Sequence, residues 1–244
     1  MAKLGLIGFG KMGQEIARLA EQRGHEIMAR FTSENPLKAS TNVDSIDVFI
    51  EFTHSGAVVE NVRTVAQFEK PLVIGTTGWN EQLQEVEKIV KGTQIGLIYA
   101  SNFSIGMSLF FKIVENAAGL FDKFEDFDPF IHEVHHKMKV DSPSGTALSL
   151  GKILLEKINR KSAILPGTSE GQISPEQLHV TSTRTGNVPG THIVGFESEA
   201  DSVELKHTAR NRSGFAMGAL YAAEWIIGKK GGFTMDDFMS DLIK

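Results

Sequence analysis

The sequence contains no cysteine. This absence excludes disulfide bonds, catalysis by a thiolate, and zinc or iron–sulfur sites built on cysteine. An excess of basic charge is also missing, because the net charge is -5 and the isoelectric point lies near 5.9. The charge balance therefore gives no electrostatic reason to expect a nucleic-acid partner or a membrane surface, and we predict neither.

Long hydrophobic runs are absent as well. No uncharged apolar run approaches the roughly 20 residues that span a bilayer, so no membrane-spanning helix is predicted. The first residues, MAKLGLIGFGKMG, lead directly into a glycine turn, without a basic region followed by a long apolar stretch. We interpret this start as a β-strand and not as a signal peptide, and a cytoplasmic location is expected.

Strands and helices alternate in the first part of the chain. Apolar residues make up 41% of the 244 residues, which is enough for one large core or two small ones. Up to Asn102 the alternation predicts an α/β fold with a Rossmann-like, doubly wound parallel sheet. The predicted strands are Leu4–Gly8, Ile27–Phe31, Ile46–Phe52, Leu72–Thr76 and Ile95–Ala100, and the predicted helices are Met12–Arg23, Ala57–Phe68 and Asn80–Val90.

The pattern changes after Asn102. Residues Ser162–Pro175, which include two prolines and two glycines, are predicted to form a loop. Three closely spaced strands follow, and their spacing favours antiparallel hairpins. Two helices near the end of the chain are expected to pack on the first domain. The predicted strands of this part are Phe130–His135, His179–Thr185, His192–Ser198 and Ser202–Thr208, and the helices are Ile105–Leu120, one beginning near Thr146, Phe215–Ile227 and Met235–Ile243.

A glycine motif of the form G-x-G-x-x-G closes the first strand and opens the first helix. Its residues are Gly8, Phe9, Gly10, Lys11, Met12 and Gly13. The three glycines would allow a tight turn, close approach of a pyrophosphate and close helix–strand packing. The helix start would add free N–H groups for the phosphates. The motif alone is weak, since an ordinary glycine turn has the same residues, but its strand-before, helix-after position favours a dinucleotide site.

The second strand ends without the acidic residue that usually binds the ribose 2′-hydroxyl. Glu34 lies at a plausible distance along the chain but beyond the strand, whereas Arg30, Thr32 and Ser33 could accommodate a 2′-phosphate. A solvated surface arginine is the alternative interpretation of Arg30. We infer that NADPH is at least tolerated, with NADH as the other candidate cofactor.

Two small polar loops follow the fourth and fifth predicted strands. Ligands of open α/β sheets bind at the carboxyl ends of the strands, so these loops suit the nicotinamide ribose and carboxamide. Turn chemistry alone is the alternative, because the same residue types favour turns. The loops contain Gly75, Thr76, Thr77 and Gly78, and Ala100, Ser101, Asn102 and Phe103.

The densest chemistry lies in the stretch Glu133–Ala147. His135, His136, Lys137 and Lys139 lie close together, and cations at this spacing repel each other unless an anion compensates them. A Ser-Gly-Thr helix start follows, which offers N–H donors to a carboxylate. The combination indicates an anion site beside a proton donor. A surface strand with solvated side chains is the less favoured alternative.

The same stretch contains a formal zinc-protease pattern, H-E-x-x-H, at His132–His136. That pattern binds zinc only on a helix, where the two imidazoles share a face. Here Pro129 and Pro143 bracket the segment, its apolar residues favour a strand, and the nearby lysines would repel a dication. We therefore predict no metal ion.

Several motifs together resemble the 4-hydroxy-tetrahydrodipicolinate reductase family, also called dihydrodipicolinate reductases. The most specific is E-x-H-H-x-x-K-x-D-S-P-S-G-T-A, and the resemblance covers nearly the whole chain. Two mild departures are Glu51 and Ser142, where the family commonly has Asp and Ala. The other motifs are GFGKMG at Gly8–Gly13, EFT at Glu51–Thr53, GTTG at Gly75–Gly78, ASNFS at Ala100–Ser104, R-x-G-x-x-x-G-x-H at Arg184–His192, and H-x-A-x-x-R-x-x-F-A-x-G-A at His207–Ala219.

The resemblance implies roles for individual residues. His135 matches the proposed proton donor and acceptor of the family, and Lys139 matches its second proton donor. The positions that match substrate contacts are His136, Lys139, Ser144, Gly145 and Thr146. The positions that match cofactor contacts are the Gly8–Gly13 loop, Phe52, Thr53, Gly75, Thr76, Thr77, Ala100, Ser101, Asn102 and Phe103.

The resemblance also implies an activity and an organisation. The substrate would be a small cyclic imine dicarboxylate, reduced by hydride transfer from NADPH or NADH with loss of water, in the diaminopimelate route to lysine. Residues 1–103 and 213–244 would form the dinucleotide-binding domain. Residues 104–212 would form a mixed α/β domain for substrate binding and assembly of a homotetramer. Another nicotinamide-dependent dehydrogenase, a dinucleotide-sensing module and a zinc peptidase remain as alternatives.

Overall fold

The chain forms two compact units. The computed structural model describes residues 1–243, so Lys244, which the sequence analysis assigns to the first domain, lies outside the described residues. Unit 1 consists of residues 1–105 and of the chain from Arg212 onwards, and unit 2 is Gly106–Asn211. The resemblance to the family predicts domain changes after residues 103 and 212.

The sheet of unit 1 has six strands, all parallel. They are Lys3–Ile7 (β1), Glu26–Phe31 (β2), Val48–Glu51 (β3), Leu72–Ile74 (β4), Gly96–Tyr99 (β5) and Gly231–Thr234 (β11). Their order across the sheet is β11-β5-β4-β3-β1-β2. Successive strands extend from β1 in opposite directions, so the sheet has a switch point between β1 and β3. The predicted doubly wound parallel sheet is confirmed.

Helices cover both faces of this sheet, because alternate strand residues point to opposite sides. Ile50 and Val73 belong to the core beneath one layer of helices, and Phe49 and Leu72 to the core beneath the other. The first layer contains Lys11–Gln22 (α1), Ser213–Ile226 (α6) and Met235–Leu242 (α7), and the second contains Val58–Gln67 (α2) and Leu83–Lys91 (α3). Short 3₁₀ turns, Ser55–Ala57 and Asn80–Gln82, precede α2 and α3.

Unit 2 is built on a mixed sheet of five strands. They are Asp128–His135 (β6), Ala163–Pro166 (β7), Gln177–Arg184 (β8), Thr191–Glu197 (β9) and Ser202–Thr208 (β10), in the order β10-β9-β6-β8-β7. The helices Ile105–Phe121 (α4) and Gly145–Lys157 (α5) contribute to one core with the sheet, in which Val114, Ile131 and Leu150 are fully buried.

Three details of the prediction are wrong. β9 and β10 form the expected antiparallel hairpin, but β8 pairs in parallel with β6, which lies between β8 and β9. The predicted loop Ser162–Pro175 contains β7, and its Pro166 is tolerated because β7 is an edge strand. The glycine-containing edge strand β11 carries too little apolar pattern to be seen in the sequence.

None of the helices formed by residues 1–243 combines the length and hydropathy that a bilayer crossing requires.

Candidate active site

The glycine loop joins β1 to α1 at the switch point of the unit 1 sheet. Gly8 has a φ of +93°, and a Cβ atom on it would lie 2.0 Å from the carbonyl oxygen of Phe52. A Cβ atom on Gly13 would lie 2.3 Å from the Gly8 carbonyl oxygen. A larger residue at either position would therefore push the loop away from the end of β3.

Gly10 occupies the N-cap position of α1, where no side chain caps the first N–H groups among the described residues. A Cβ atom on Gly10 would meet none of their atoms within 4 Å. The first turn of α1 thus presents N–H groups and the positive end of its dipole beside an open backbone surface. A phosphate group binds to this geometry.

Arg30 extends from β2 towards the glycine loop. Its guanidinium carbon lies 5.1 Å from the centre of the Phe9 ring, and its nearest carboxylate is that of Glu21 at 3.7 Å. The Thr32 hydroxyl instead accepts a hydrogen bond from the N–H of Asn35. Arg30 therefore contacts the glycine loop through Phe9, and it is the residue that we assign to the ribose 2′-position among those predicted.

The residues that follow β3 and β4 pack against each other and are joined by a hydrogen bond. A Cβ atom on Gly75 would lie 2.0 Å from the ring of Phe52. The N–H of Thr53 donates a hydrogen bond to the hydroxyl oxygen of Thr76 at 2.6 Å. Thr76 is buried, so its side chain supports the loop, whereas Thr53 and Thr77 are exposed and available to a ligand.

A buried carboxyl group lies beneath these loops. Glu51, the last residue of β3, is fully buried and accepts hydrogen bonds from the hydroxyl of Thr53 and the amide of Asn61. Burial raises the pKa of this carboxyl group, against the effect of those hydrogen bonds. Glu51 thus ties the loop after β3 to α2.

The predicted loop after β5 is only partly available to a ligand. Ser101 is exposed, and the side-chain oxygen of Asn102 accepts a hydrogen bond from the N–H of Ser104 at 2.8 Å. Phe103 is only 2% exposed and lies in the core of unit 1. Its side chain therefore belongs to the core, and only its backbone could contact a cofactor. Ala100 is half-buried at the start of the same loop.

In unit 2, β6 separates its polar side chains onto two faces. Glu133 and His135 are buried on the face that α4 and α5 cover, whereas His132 contacts the Thr181 hydroxyl at 2.7 Å. His136 follows the end of the strand and is half-buried. The H-E-x-x-H residues therefore do not form the helical zinc motif, in agreement with the strand predicted for this segment.

The helix start is placed beside this strand. The Ser144 hydroxyl caps α5 by accepting a hydrogen bond from the N–H of Ala147 at 3.2 Å. Gly145 is exposed and Thr146 half-buried in the first turn. Glu133 accepts a hydrogen bond from the Ser144 N–H at 2.8 Å, which joins the helix start to β6.

Lys139 forms an ion pair with Asp141 at 2.7 Å. This ion pair holds the pKa of the Asp141 carboxyl group below its ordinary value, and backbone N–H groups, including that of Gly145, act in the same direction. The Lys139 N–H also bonds to the His136 carbonyl oxygen at 3.1 Å. The protein's own carboxylate thus interacts with both Lys139 and the start of α5, the two features predicted to bind a substrate carboxylate.

Glu133 connects the predicted catalytic residues. Its carboxylate lies 3.0 Å from Nδ1 of His135, 2.8 Å from Arg184 and 3.5 Å from His192. Burial raises the pKa of Glu133, but hydrogen bonds from His192, Ser144 and Arg184 outweigh it and hold the pKa well below its usual range. Burial lowers the pKa of His135 to about 4, although Glu133 opposes that effect. His135 is therefore neutral at neutral pH in the ligand-free protein.

Two family models together match nearly the whole chain. "Dihydrodipicolinate reductase, N-terminus" matches residues 2–103, and "Dihydrodipicolinate reductase, C-terminus" matches residues 106–239. The chain belongs to the dihydrodipicolinate reductase family. The family inferred from the sequence motifs is thereby confirmed.

Named members of this family match over nearly their full length. The 4-hydroxy-tetrahydrodipicolinate reductase of Christiangramia forsetii is 39% identical, with 99% of each chain covered. That of Methanoregula boonei is 33% identical, with 98% of each covered. A structure of dipicolinate-bound dihydrodipicolinate reductase from a Paenisporosarcina species has a TM-score of 0.74 at 26% identity, and covers 96% of this chain and 97% of its own.

The sequence patterns of the present chain gave no role to Glu133, Arg184 or His192. A local signal existed for Glu133, because residues two apart on a strand share a face, which places it beside His135. Arg184 and His192 are the first and last residues of the motif R-x-G-x-x-x-G-x-H, but their contact with Glu133 depends on the pairing of β6 with β8 and β9.

Glu133, His135 and His192 each offer an atom that could bind a metal ion, and these atoms lie within 4.8 Å of one another. The Arg184 guanidinium bonds to the same carboxylate, and its positive charge would repel a dication there. The absence of a metal requirement stays a prediction.

Proposed function

We propose that this chain catalyses the reduction of (2S,4S)-4-hydroxy-tetrahydrodipicolinate by NADPH or NADH, with loss of water, to tetrahydrodipicolinate. The reaction is a step of lysine biosynthesis through diaminopimelate. The observation that carries the proposal is the buried His135–Glu133 pair next to Lys139 and the α5 start, in a chain that matches named reductases over its full length. A reduced nicotinamide would supply the hydride.

The residues of unit 2 would bind and protonate the substrate. One carboxylate of the substrate would displace Asp141 from Lys139. It would also accept hydrogen bonds from the N–H groups of Gly145 and Thr146. Nearby negative charge favours the protonated form of an imidazole. A bound dianion would therefore raise the pKa of His135 from its low ligand-free value, so that His135 can act as an acid.

The residues of unit 1 would bind the cofactor. The glycine loop and the first turn of α1 would hold the pyrophosphate, and Arg30 would lie at the ribose 2′-position. The exposed Thr53, Thr77 and Ser101 lie at the ends of neighbouring strands, where the nicotinamide half is expected.

Two finer expectations remain proposals: a cytoplasmic location and a homotetramer. In unit 2, α4 and α5 share a core with one face of the sheet, while Phe130, Val134 and Ile193 are only partly buried on strands of that sheet. That surface supports assembly through unit 2. Light scattering tests the tetramer, and a monomer at assay concentration would contradict it.

The reductase activity is expected without added metal. Chelator-treated protein should oxidise NADPH in the presence of the cyclic imine, and NADH is tested in parallel. Loss of activity on removal of stoichiometric zinc would contradict this expectation. Assays with a panel of oxo acids distinguish the proposed reductase from another nicotinamide-dependent dehydrogenase. Cofactor binding without turnover of any substrate would indicate a dinucleotide-sensing module instead.

Replacing Gly10 by Ala should weaken NADPH binding by about tenfold or more, since the second glycine of this motif lets the backbone approach the pyrophosphate. The added methyl group meets no described atom within 4 Å, and φ of -76° suits alanine, so the ligand-free fold should persist. Gly119→Ala on α4 has equally free space and serves as the control. Titration calorimetry measures the dissociation constants. Unchanged NADPH affinity in Gly10→Ala would place the pyrophosphate elsewhere.

A further inference from the structure

The two oxygens of the buried Glu133 carboxylate have different partners. Oε1 accepts three hydrogen bonds: from the N–H of Ser144 at 2.8 Å, the hydroxyl of Ser182 at 2.9 Å and the guanidinium of Arg184 at 2.8 Å. These donors come from the start of α5 and from β8, so they fix the position and rotation of the carboxylate on the covered face of the sheet.

Oε2 faces two imidazole rings. Nδ1 of His135 lies 3.0 Å away and Nε2 of His192 lies 3.5 Å away. An ionised carboxylate offers only lone pairs, so at 3.0 Å it favours a hydrogen atom on the facing Nδ1, although these two atoms do not reach hydrogen-bond geometry. Because the His135 ring is neutral at neutral pH, a proton on Nδ1 leaves Nε2 with its lone pair.

The motif R-x-G-x-x-x-G-x-H contacts this pair at three points. Arg184 binds Oε1 of Glu133 and His192 faces Oε2. A Cβ atom on Gly190 would lie 2.9 Å from Nε2 of His135, so the absence of a side chain at Gly190 leaves room beside that nitrogen. The three residues Arg184, Gly190 and His192 therefore surround the Glu133–His135 pair, although none of them is among the predicted cofactor or substrate contacts.

We propose that Glu133 is a positioning residue for His135, and that Arg184 and His192 hold it in place. The proposal rests on the proposed function and deepens it. Glu133 keeps the His135 proton on Nδ1, so that the unprotonated Nε2 of His135 points away from the Glu133 carboxylate. When Nε2 takes up a proton beside a bound dianion, the carboxylate balances the charge of the imidazolium.

Nitrogen-15 NMR of histidine-labelled protein measures the tautomer directly, with His135 assigned from the signal that His135→Gln removes. At neutral pH the wild-type protein should show His135 protonated on Nδ1. Glu133→Gln should shift the proton largely to Nε2. The same variant should lower kcat by about tenfold to a hundredfold, the range for groups that orient a metal-binding imidazole, with KM changed much less.

Glu204→Gln is the matched control, because it removes the same charge from an exposed position of β10 in the same sheet. It should leave both the tautomer and kcat unchanged. Glu133→Asp keeps the charge and should retain protonation on Nδ1, which provides a second test where the glutamine variant does not fold.

A wild-type His135 that carries its proton on Nε2 would overturn the proposal, and so would a Glu133→Gln variant with an unchanged tautomer. The NMR measurement does not depend on turnover. If the wild-type protein has the expected tautomer but reduces no cyclic imine, the proposed function fails while the orienting role of Glu133 stands.

Discussion

Replacing His135 by Gln is expected to lower kcat by about two orders of magnitude or more, the contribution typical of a general acid–base group. Glutamine has a similar size and can bond to Glu133, but it cannot exchange a proton in the working pH range. His135 is 7% exposed and its Nδ1 lies 3.0 Å from the Glu133 carboxylate. The variant should therefore keep its fold and its NADPH affinity while it loses turnover. Steady-state kinetics and cofactor titration provide the two measurements.

His132→Gln is the control for this experiment. His132 lies on the same strand, but its ring contacts Thr181 on the other face of the sheet. Its replacement should leave kcat close to that of the wild-type protein. Near-normal turnover in His135→Gln, or an equal loss in both variants, would show that His135 has a structural role only.

Dipicolinate is expected to compete with the substrate of this chain, and replacing Lys139 by Ala is expected to weaken that inhibition about tenfold to a hundredfold. Dipicolinate is the ligand in the structure of the Paenisporosarcina relative, and it carries two carboxylates on a flat ring. A hydrogen bond between a charged donor and a carboxylate contributes on the order of 1.5–3 kcal/mol. The substitution also leaves Asp141 without its 2.7 Å partner, and its carboxylate would repel the inhibitor.

Lys137→Ala is the matched control, since Lys137 is exposed and bonds to Gly186 only through its backbone N–H among the described residues. It should leave the inhibition constant within about threefold, as expected for a surface charge. NADPH binding should barely change in either variant, because the proposed phosphate site is the glycine loop. Unchanged inhibition with lost cofactor affinity in Lys139→Ala would assign this lysine to the cofactor.

The sequence predicts those parts of the fold whose signal is local. The strands β1 and β3 are apolar runs bounded by turn residues, and the helix α1 between them has a clear apolar face, so the first sheet follows from the pattern. The partner of a strand leaves no such local trace. The spacing of β8 and β9 suggests a hairpin, yet β6 pairs with both, because its covered face completes the core with Val180 and Val194.

The same limit applies to the candidate site. The stretch from His135 to Thr146 could be found because its charges and its helix start are neighbours in sequence. The support of His135 by Arg184 and His192 requires contacts across about fifty residues, which only the strand pairing supplies. The burial of Phe103 is a further example: the motif suggests a ligand contact, whereas packing places the ring in the core.

Hydride transfer to the ring of the substrate is the central claim, and isotope transfer measures it most directly. Chelator-treated protein is incubated with 4-hydroxy-tetrahydrodipicolinate and NADPH that carries deuterium at both C4 positions, and the product is analysed by mass spectrometry and NMR. We expect one deuterium atom at C4 of each tetrahydrodipicolinate formed. Product without deuterium, or no oxidation of NADPH and NADH in the presence of this substrate, would contradict the account.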